Sequence, residues 1–265
     1  MSQLPSSLTK TQQNPISDFI FSLFNFSPNF NPRRRFIKFP IMPLTTTKTT
    51  TSTKHQFATP QSLSDWLQTR LPSDSFSTWG TRPGTKNIHN LWLELNEGEI
   101  SLADSTPPIR TVEVVVVRVR NDKNRILIET HQELSNGVVR NRFRPLSEKM
   151  KPNETVQDCV FRAVKEELGS VIIKGSEKDA KFDEIVKIVP NSYSSKVEEK
   201  VSVSYPGLPA CYVLHSVDAF VDGLPDCEFI SEEENEYQNL EENCELAVSC
   251  KKHFWKWVDS DTVSS

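Results

Sequence analysis

The run Val112-Glu-Val-Val-Val-Val-Arg-Val119 constrains the fold more than any other stretch of this chain. β-Branched residues in near-continuous succession, without strict alternation, mark a strand covered on both faces. Such a strand needs neighbours on its edges and further layers above and below. Asn121-Asp-Lys-Asn124 is a turn, and residues 125–130 read as a second strand, so the pair forms a hairpin. Asn136-Gly137 signals another turn, followed by a third strand over residues 138–143. Further strands are expected at 171–173, 182–189, 210–220 and 254–258. One strongly marked helix spans residues 155–168 and is closed by Gly169. Several strands around one such helix predict an α/β or α+β sandwich with a mixed sheet.

The helix carries the chemistry. Val156, Val160, Val164 and Leu168 recur every four residues and form its buried stripe. Arg162 and Glu166 are also four apart, on another face, where they can pair. Glu166 and Glu167 are adjacent, about 100° apart around the axis. Glu154 stands at the helix start, where the dipole favours a carboxylate. Carboxylates gathered in this way can hold Mg²⁺, which takes oxygen ligands and keeps waters and substrate phosphates. A solvated acidic face with ordinary ion pairs accounts for the same charges.

The spacing adds a further reading. Glu154, then seven residues, Arg162, then Val164, Glu166-Glu167 and Gly169 resembles the Nudix box. The lead-in Pro145-Leu-Ser-Glu-Lys-Met-Lys-Pro-Asn-Glu154 is similar to the family's Leu-Pro-Gly-Gly-Lys-x-x-Pro-Gly-Glu. The similarity spans residues 148–170, and the order of elements fits over about 111–258. Three positions depart from the pattern: Glu148 replaces the first Gly, Ala163 the Glu after the Arg, and Ser170 the final apolar residue. The resemblance implies a Nudix-fold α/β/α sandwich with a mixed sheet, preceded by a small amino-terminal extension. It implies a hydrolase acting on a nucleoside diphosphate-linked or related diphosphate, with Mg²⁺ or Mn²⁺ as cofactor. Glu166, Glu167 and Arg162 would then be the catalytic group, and Glu154, Glu166, Glu167 and Glu148 the metal group. Loss of a carboxylate at Ala163 keeps an alternative open: a catalytically impaired Nudix-fold protein that binds nucleotide, RNA or a protein partner.

Arg140, Arg142 and Arg144 alternate on the strand entering the box, so a period of two puts them on one face. Guanidinium groups suit diphosphate oxygens, which makes these three the candidate substrate-binding residues; charge guarding an exposed edge is the alternative. Tyr193 and Tyr205 precede the long strand and are read as packed or exposed residues, with base stacking as the other option. His215 is read as structural, and His253 has no evident partner. Glu232-Glu-Glu234 and Glu241-Glu242 fall in a polar loop, as solvated charge or as a further metal carboxylate.

Upstream, Thr59-Pro60 starts a helix carrying Leu63, Trp66, Leu67 and Leu71 on one face, and Pro72 stops it. Leu91, Leu93 and Leu95 alternate and suggest a strand. Nothing in this stretch carries chemistry by sequence alone. The organisation is therefore 1–58 as an unstructured leader, 59–110 as an extension and 111–262 as the main domain. Residues 1–60 hold seven Lys/Arg against one acid and 17 Ser/Thr, the composition of an organelle transit peptide. Hydroxyl richness points to the chloroplast, with the mitochondrion as the alternative, or the cytosol if translation starts at Met42. The remainder holds 24 Lys/Arg and 34 Asp/Glu, which argues against a broad nucleic-acid surface. No run of 18 apolar residues exists, so no spanning helix and no membrane partner is expected. The expected ligand is a nucleotide-like diphosphate small molecule. Five cysteines without a C-x-x-C pair read as reduced thiols.

Overall fold

In the computed structural model the valine run lies at the centre of a curled mixed sheet, and the chain is an α/β protein. The structure describes residues 57–172, 182–232 and 247–263, all within one compact unit spanning Thr50–Ser264. The basic leader, Cys244 and the acidic residues 233–246 lie outside the described residues. Among the described residues no helix is long and apolar enough to cross a membrane, and Cys159, Cys211 and Cys227 are free thiols.

The chain enters through α1 (Pro60–Gln68), the short α2 (Ser73–Phe76) and α3 (Ile88–Asn96). Strands β1 (Ile100–Ala103), β2 (Ile109–Arg120), β3 (Arg125–Leu134), β4 (Val139–Arg144) and β5 (Leu146–Lys149) follow. Helix α4 (Val156–Ile172) leads to a helical turn α5 (Phe182–Ile185), β6 (Val186–Ile188), β7 (Ser194–Val201) and β8 (Pro209–Val221). Strands β9 (Phe229–Glu232) and β10 (Cys250–Asp259), then α6 (Ser260–Val263), complete the order.

The central strand β2 runs parallel to β8 along one edge, from Arg110 opposite Ala210 to Arg120 opposite Phe220. Its other edge is shared in succession by β1 at Ile109–Val112, β5 at Val114–Val117 and β3 at Arg120. Strand β3 therefore leaves β2 soon after the turn and pairs instead with β4 and β10. That divergence opens a cleft between the two halves of the sheet.

Alternation on β2 divides the core. Val115, Val117 and Val119 face α4, whose stripe Val160, Val164, Leu168 and Ile172 is fully or almost fully buried with them. Val112 and Val114 face the other way and are covered by α1 and α3, through Leu63, Leu67 and Leu91. Each buried Leu or Val side chain contributes roughly 1.5–3 kcal/mol. The amino-terminal segment is thus the second cover of the central strand, joined to the sheet by β1.

Three elements differ from the sequence expectations. Residues 91–95 are helical in α3, because Asn87 and Asn90 form a reciprocal cap and Ile88, Leu91, Trp92 and Leu95 fit a period of 3.6. Helix α4 runs through Gly169 to Ile172, where one further turn of the apolar stripe packs into the core. Residues 182–185 form a helical turn before β6. Helix α1 starts at Pro60 with Thr59 as its cap, in keeping with the sequence.

Candidate functional site

Arg162 is the hub of the helix α4 carboxylates. Its Nε and Nη2 donate to the two oxygens of Glu154 at 2.7 and 2.9 Å. Its Nη1 donates to Glu166 Oε2 at 3.0 Å and lies 3.4 Å from Glu148 Oε1. Nη2 also donates to the Lys149 carbonyl at 2.7 Å, which ties helix to strand β5. Burial opposes the Arg162 charge, but the Glu154 hydrogen bonds and the Glu148 and Glu166 carboxylates outweigh it and raise its pKa. Glu154 in turn accepts from the Lys151 amide at 2.8 Å, and against the effect of burial these bonds hold its carboxyl below the ordinary range.

The three departures from the box have structural answers. Glu148 sits in β5 opposite Val115, an extended position that any side chain can adopt. The left-handed residue of the lead-in is Asn153, at φ 63°, a conformation Asn tolerates better than most residues. Ser170 Oγ accepts from the Glu232 amide at 2.9 Å, which fastens α4 to β9. Ala163 is 0% exposed and packs within the main core. The core around Ala163 leaves no open space for a glutamate side chain.

Glu167 points away from the Arg162 hub. It is 6% exposed and belongs to a buried cluster with Glu129 of β3 and His253 of β10. His253 Nδ1 lies 2.6 Å from Glu129 Oε1 and 3.4 Å from Glu167 Oε2. One ligand atom from each of the three residues falls within 4.8 Å of the others. Glu129 Oε2 faces the opposite way, 3.4 Å from Arg142 Nε and 3.9 Å from Arg144 Nε. Burial alone would raise the Glu129 carboxyl. The His253 hydrogen bond and the Arg142 guanidinium outweigh it and hold the group below its ordinary value.

The structure thus divides the four carboxylates expected as one metal group. Glu148, Glu154 and Glu166 meet at Arg162, while Glu167 stands with Glu129 and His253. Neither Glu129 nor His253 was legible as a partner of Glu167. The two are 124 residues apart, and only the β3–β10 pairing joins them. The one available signal was a lone acid at the end of the apolar run Ile126-Leu-Ile-Glu129.

A cleft of about 180 Å³ opens beside this cluster, where β2 and β3 diverge. Arg140, Arg142 and Arg144 all line it, together with Glu148, Glu167 and His253. The described lining holds six cations (Lys86, Arg110, Arg140, Arg142, Arg144 and Lys149) and three acids (Glu94, Glu148 and Glu167), an excess of three positive charges. Glu129 behind Arg142 and Arg144, and Glu99 behind Lys149, bring that excess down to one, in a chain that carries −4 overall. The arginine stripe is not a regular strand face. A bulge between the Glu129 and His131 pairings, with Phe143 at φ 46°, brings both Arg142 and Arg144 to Glu129. Arg140 instead donates from Nε to Gln132 Oε1 at 3.0 Å, and from Nη2 to the same oxygen.

The amino-terminal extension, in which no chemistry is legible by sequence alone, contributes Thr85, Lys86, Glu94 and Arg110 to the cleft wall. Glu94 is 2% exposed and binds Lys86 at 3.0 Å and Arg110 at 2.8 Å. Burial would raise its carboxyl, but Lys149, Lys86 and Arg110 together hold it well below the ordinary range. Tyr205 is fully buried against Trp79, and Tyr193 is exposed with its hydroxyl 3.1 Å from His215 Nδ1. Neither lines the cleft.

The fold and the cleft define an α/β protein in which an arginine-lined cleft adjoins a carboxylate–imidazole cluster. No family model matches this chain, and no curated protein matches it.

Proposed function

We propose that this chain is a metal-dependent hydrolase of Nudix type, acting on a nucleoside diphosphate-linked or related diphosphate. The observation that carries the reading is the meeting of an arginine-lined cationic cleft with the Glu129–Glu167–His253 cluster. Glu129 Oε1, Glu167 Oε2 and His253 Nδ1 are the atoms suited to a divalent cation. Two oxygens and one nitrogen suit Mn²⁺ better than Mg²⁺, which prefers an all-oxygen set. When bound, such an ion lowers the pKa of a water and neutralises charge on phosphate oxygens.

The protein's own groups supply the rest. Arg142 and Arg144 offer forked donors to diphosphate oxygens. Glu129 between them and the imidazole keeps both guanidinium groups in place while its other oxygen faces His253. Arg162 orients Glu148 and Glu166 next to the same strand and helix.

A second reading is a binding protein without turnover, favoured by the burial of Ala163 where the box uses a carboxylate. A panel of sugar nucleotides, dinucleotides, oxidised nucleotides and capped RNA, with Mg²⁺ or Mn²⁺, separates the two. The hydrolase releases phosphorylated fragments in a metal-dependent way. Saturable heat on titration with no fragment released would leave the binding protein.

A further inference from the structure

The arginine stripe divides into two ends. Arg142 and Arg144 are committed to Glu129, beyond the bulge. Arg140 reaches the other way: its Cγ lies 4.0 Å from where a Cβ on Gly84 would stand, beside the Thr85–Lys86 wall. Its guanidinium donates to a neutral acceptor, Gln132. Burial, and then the neighbouring Arg142 charge, push its pKa down to about 10. At the same end, Arg110 is 4% exposed and gives one Nη2 to Glu94, while its Nε is buried with no hydrogen-bond partner. Lys86 shares that same Glu94 carboxylate, and its backbone amide is anchored to the Ser204 carbonyl at 2.9 Å. At this end Lys86, Arg110 and Lys149 meet the buried acids Glu94 and Glu99, while Arg140 is bonded to neutral Gln132, so four cations stand against two acids. Partly buried cations in excess of their acids are costly unless a further anion joins them.

The size of the cleft limits what that anion belongs to. About 180 Å³ lies below the roughly 300–1,000 Å³ of pockets that enclose a drug-sized ligand. Tyr212 is the one aromatic side chain of the described lining other than the His253 ring, and Lys200 Nζ already sits 5.0 Å from its ring. The lining therefore offers little platform for a nucleobase and much for a polyanionic head.

We propose that Arg140, Arg110 and Lys86 form a second anion subsite, built in part by the amino-terminal extension, that takes a further phosphate beyond the diphosphate held at Arg142 and Arg144. The ligand is accordingly a compact polyphosphate head, recognised by its charge and length rather than by a base. This rests on the diphosphate reading above.

The test is calorimetric titration of the full chain, with Mn²⁺ present, using methylenediphosphonate and its three-phosphorus homologue bis(methylene)triphosphonate. Their P–C–P links are not hydrolysed. Hydrogen bonds to charged groups are worth about 1.5–3 kcal/mol, so the longer analogue is expected to bind about tenfold or more tightly. Arg140→Gln and, separately, Lys86→Met are expected to bring that ratio towards one; either folded variant suffices. A wild-type ratio near one, or a ratio unchanged in the variants, overturns the subsite and leaves the diphosphate reading standing. If neither analogue binds the wild type, the diphosphate reading fails and the subsite with it.

Discussion

Replacing Arg162 by methionine is expected to cost about 3 kcal/mol of stability, the low end of what breaking a buried ion pair costs. The figure follows from what the side chain holds. Arg162 makes a two-oxygen pair with Glu154, single bonds to Glu166 and the Lys149 carbonyl, and a contact with Glu148. Its side chain is 16% exposed and that of Glu154 11%, so water compensates little when the pair is broken. Glu166 is 36% exposed and rehydrates at small cost, which keeps the total at the lower end. Methionine preserves most of the apolar stem, so lost packing adds little. For a domain of this size about 3 kcal/mol corresponds to a fall in Tm of roughly 6–12 °C. Urea denaturation of Arg162→Met, Glu154→Gln and the double variant measures it, with a coupling of up to about 3 kcal/mol expected between the two sites. A loss under about 1 kcal/mol, or additive single losses, would refute the hub.

Ala163→Glu, which restores the carboxylate of the box, is expected to destabilise the fold by at least about 3 kcal/mol, since it adds volume and a polar group to a closed core; an unchanged urea midpoint would show that the side chain escapes to the Glu167 cluster. Stability is expected to fall with acid. Glu94 has a lower pKa folded than unfolded, so its contribution is full above about 4.3 and is lost as pH drops from there through the folded value; urea midpoints that stay level from neutral pH down to pH 3 would contradict this. A reporter fused to residues 1–58 is expected to reach the chloroplast and be processed there, and a reporter left uncleaved in the cytosol would remove the transit reading.

What the sequence made legible was local. The valine run and the four-residue stripe of α4 each state their own burial, because a strand or helix face is written in consecutive residues. Where two periods competed, the weaker signal decided: Leu91, Leu93 and Leu95 fit a period of two, but the Asn87–Asn90 cap and the Ile88–Leu91–Trp92–Leu95 face set the helix. The arginine stripe was legible as a cationic surface, and all three residues do line the cleft. Its division by a bulge was not, since Phe143 gives no turn signal of its own. Least legible were Glu129, His253 and the Thr85–Lys86 wall. Each enters the site through pairing or packing with segments remote in the chain, and no spacing rule encodes that. Adjacent Glu166 and Glu167 look alike in sequence, yet a rotation of about 100° sends one to Arg162 and the other to His253.

The most direct measurement is cleavage of a diphosphate substrate by the wild type and by Glu167→Gln, each with Mn²⁺ and with EDTA. The account predicts metal-dependent cleavage by the wild type, and no cleavage above the EDTA blank by a folded Glu167→Gln variant. Cleavage that survives the substitution or the chelator, or a wild type inert toward every diphosphate with either metal, would contradict it.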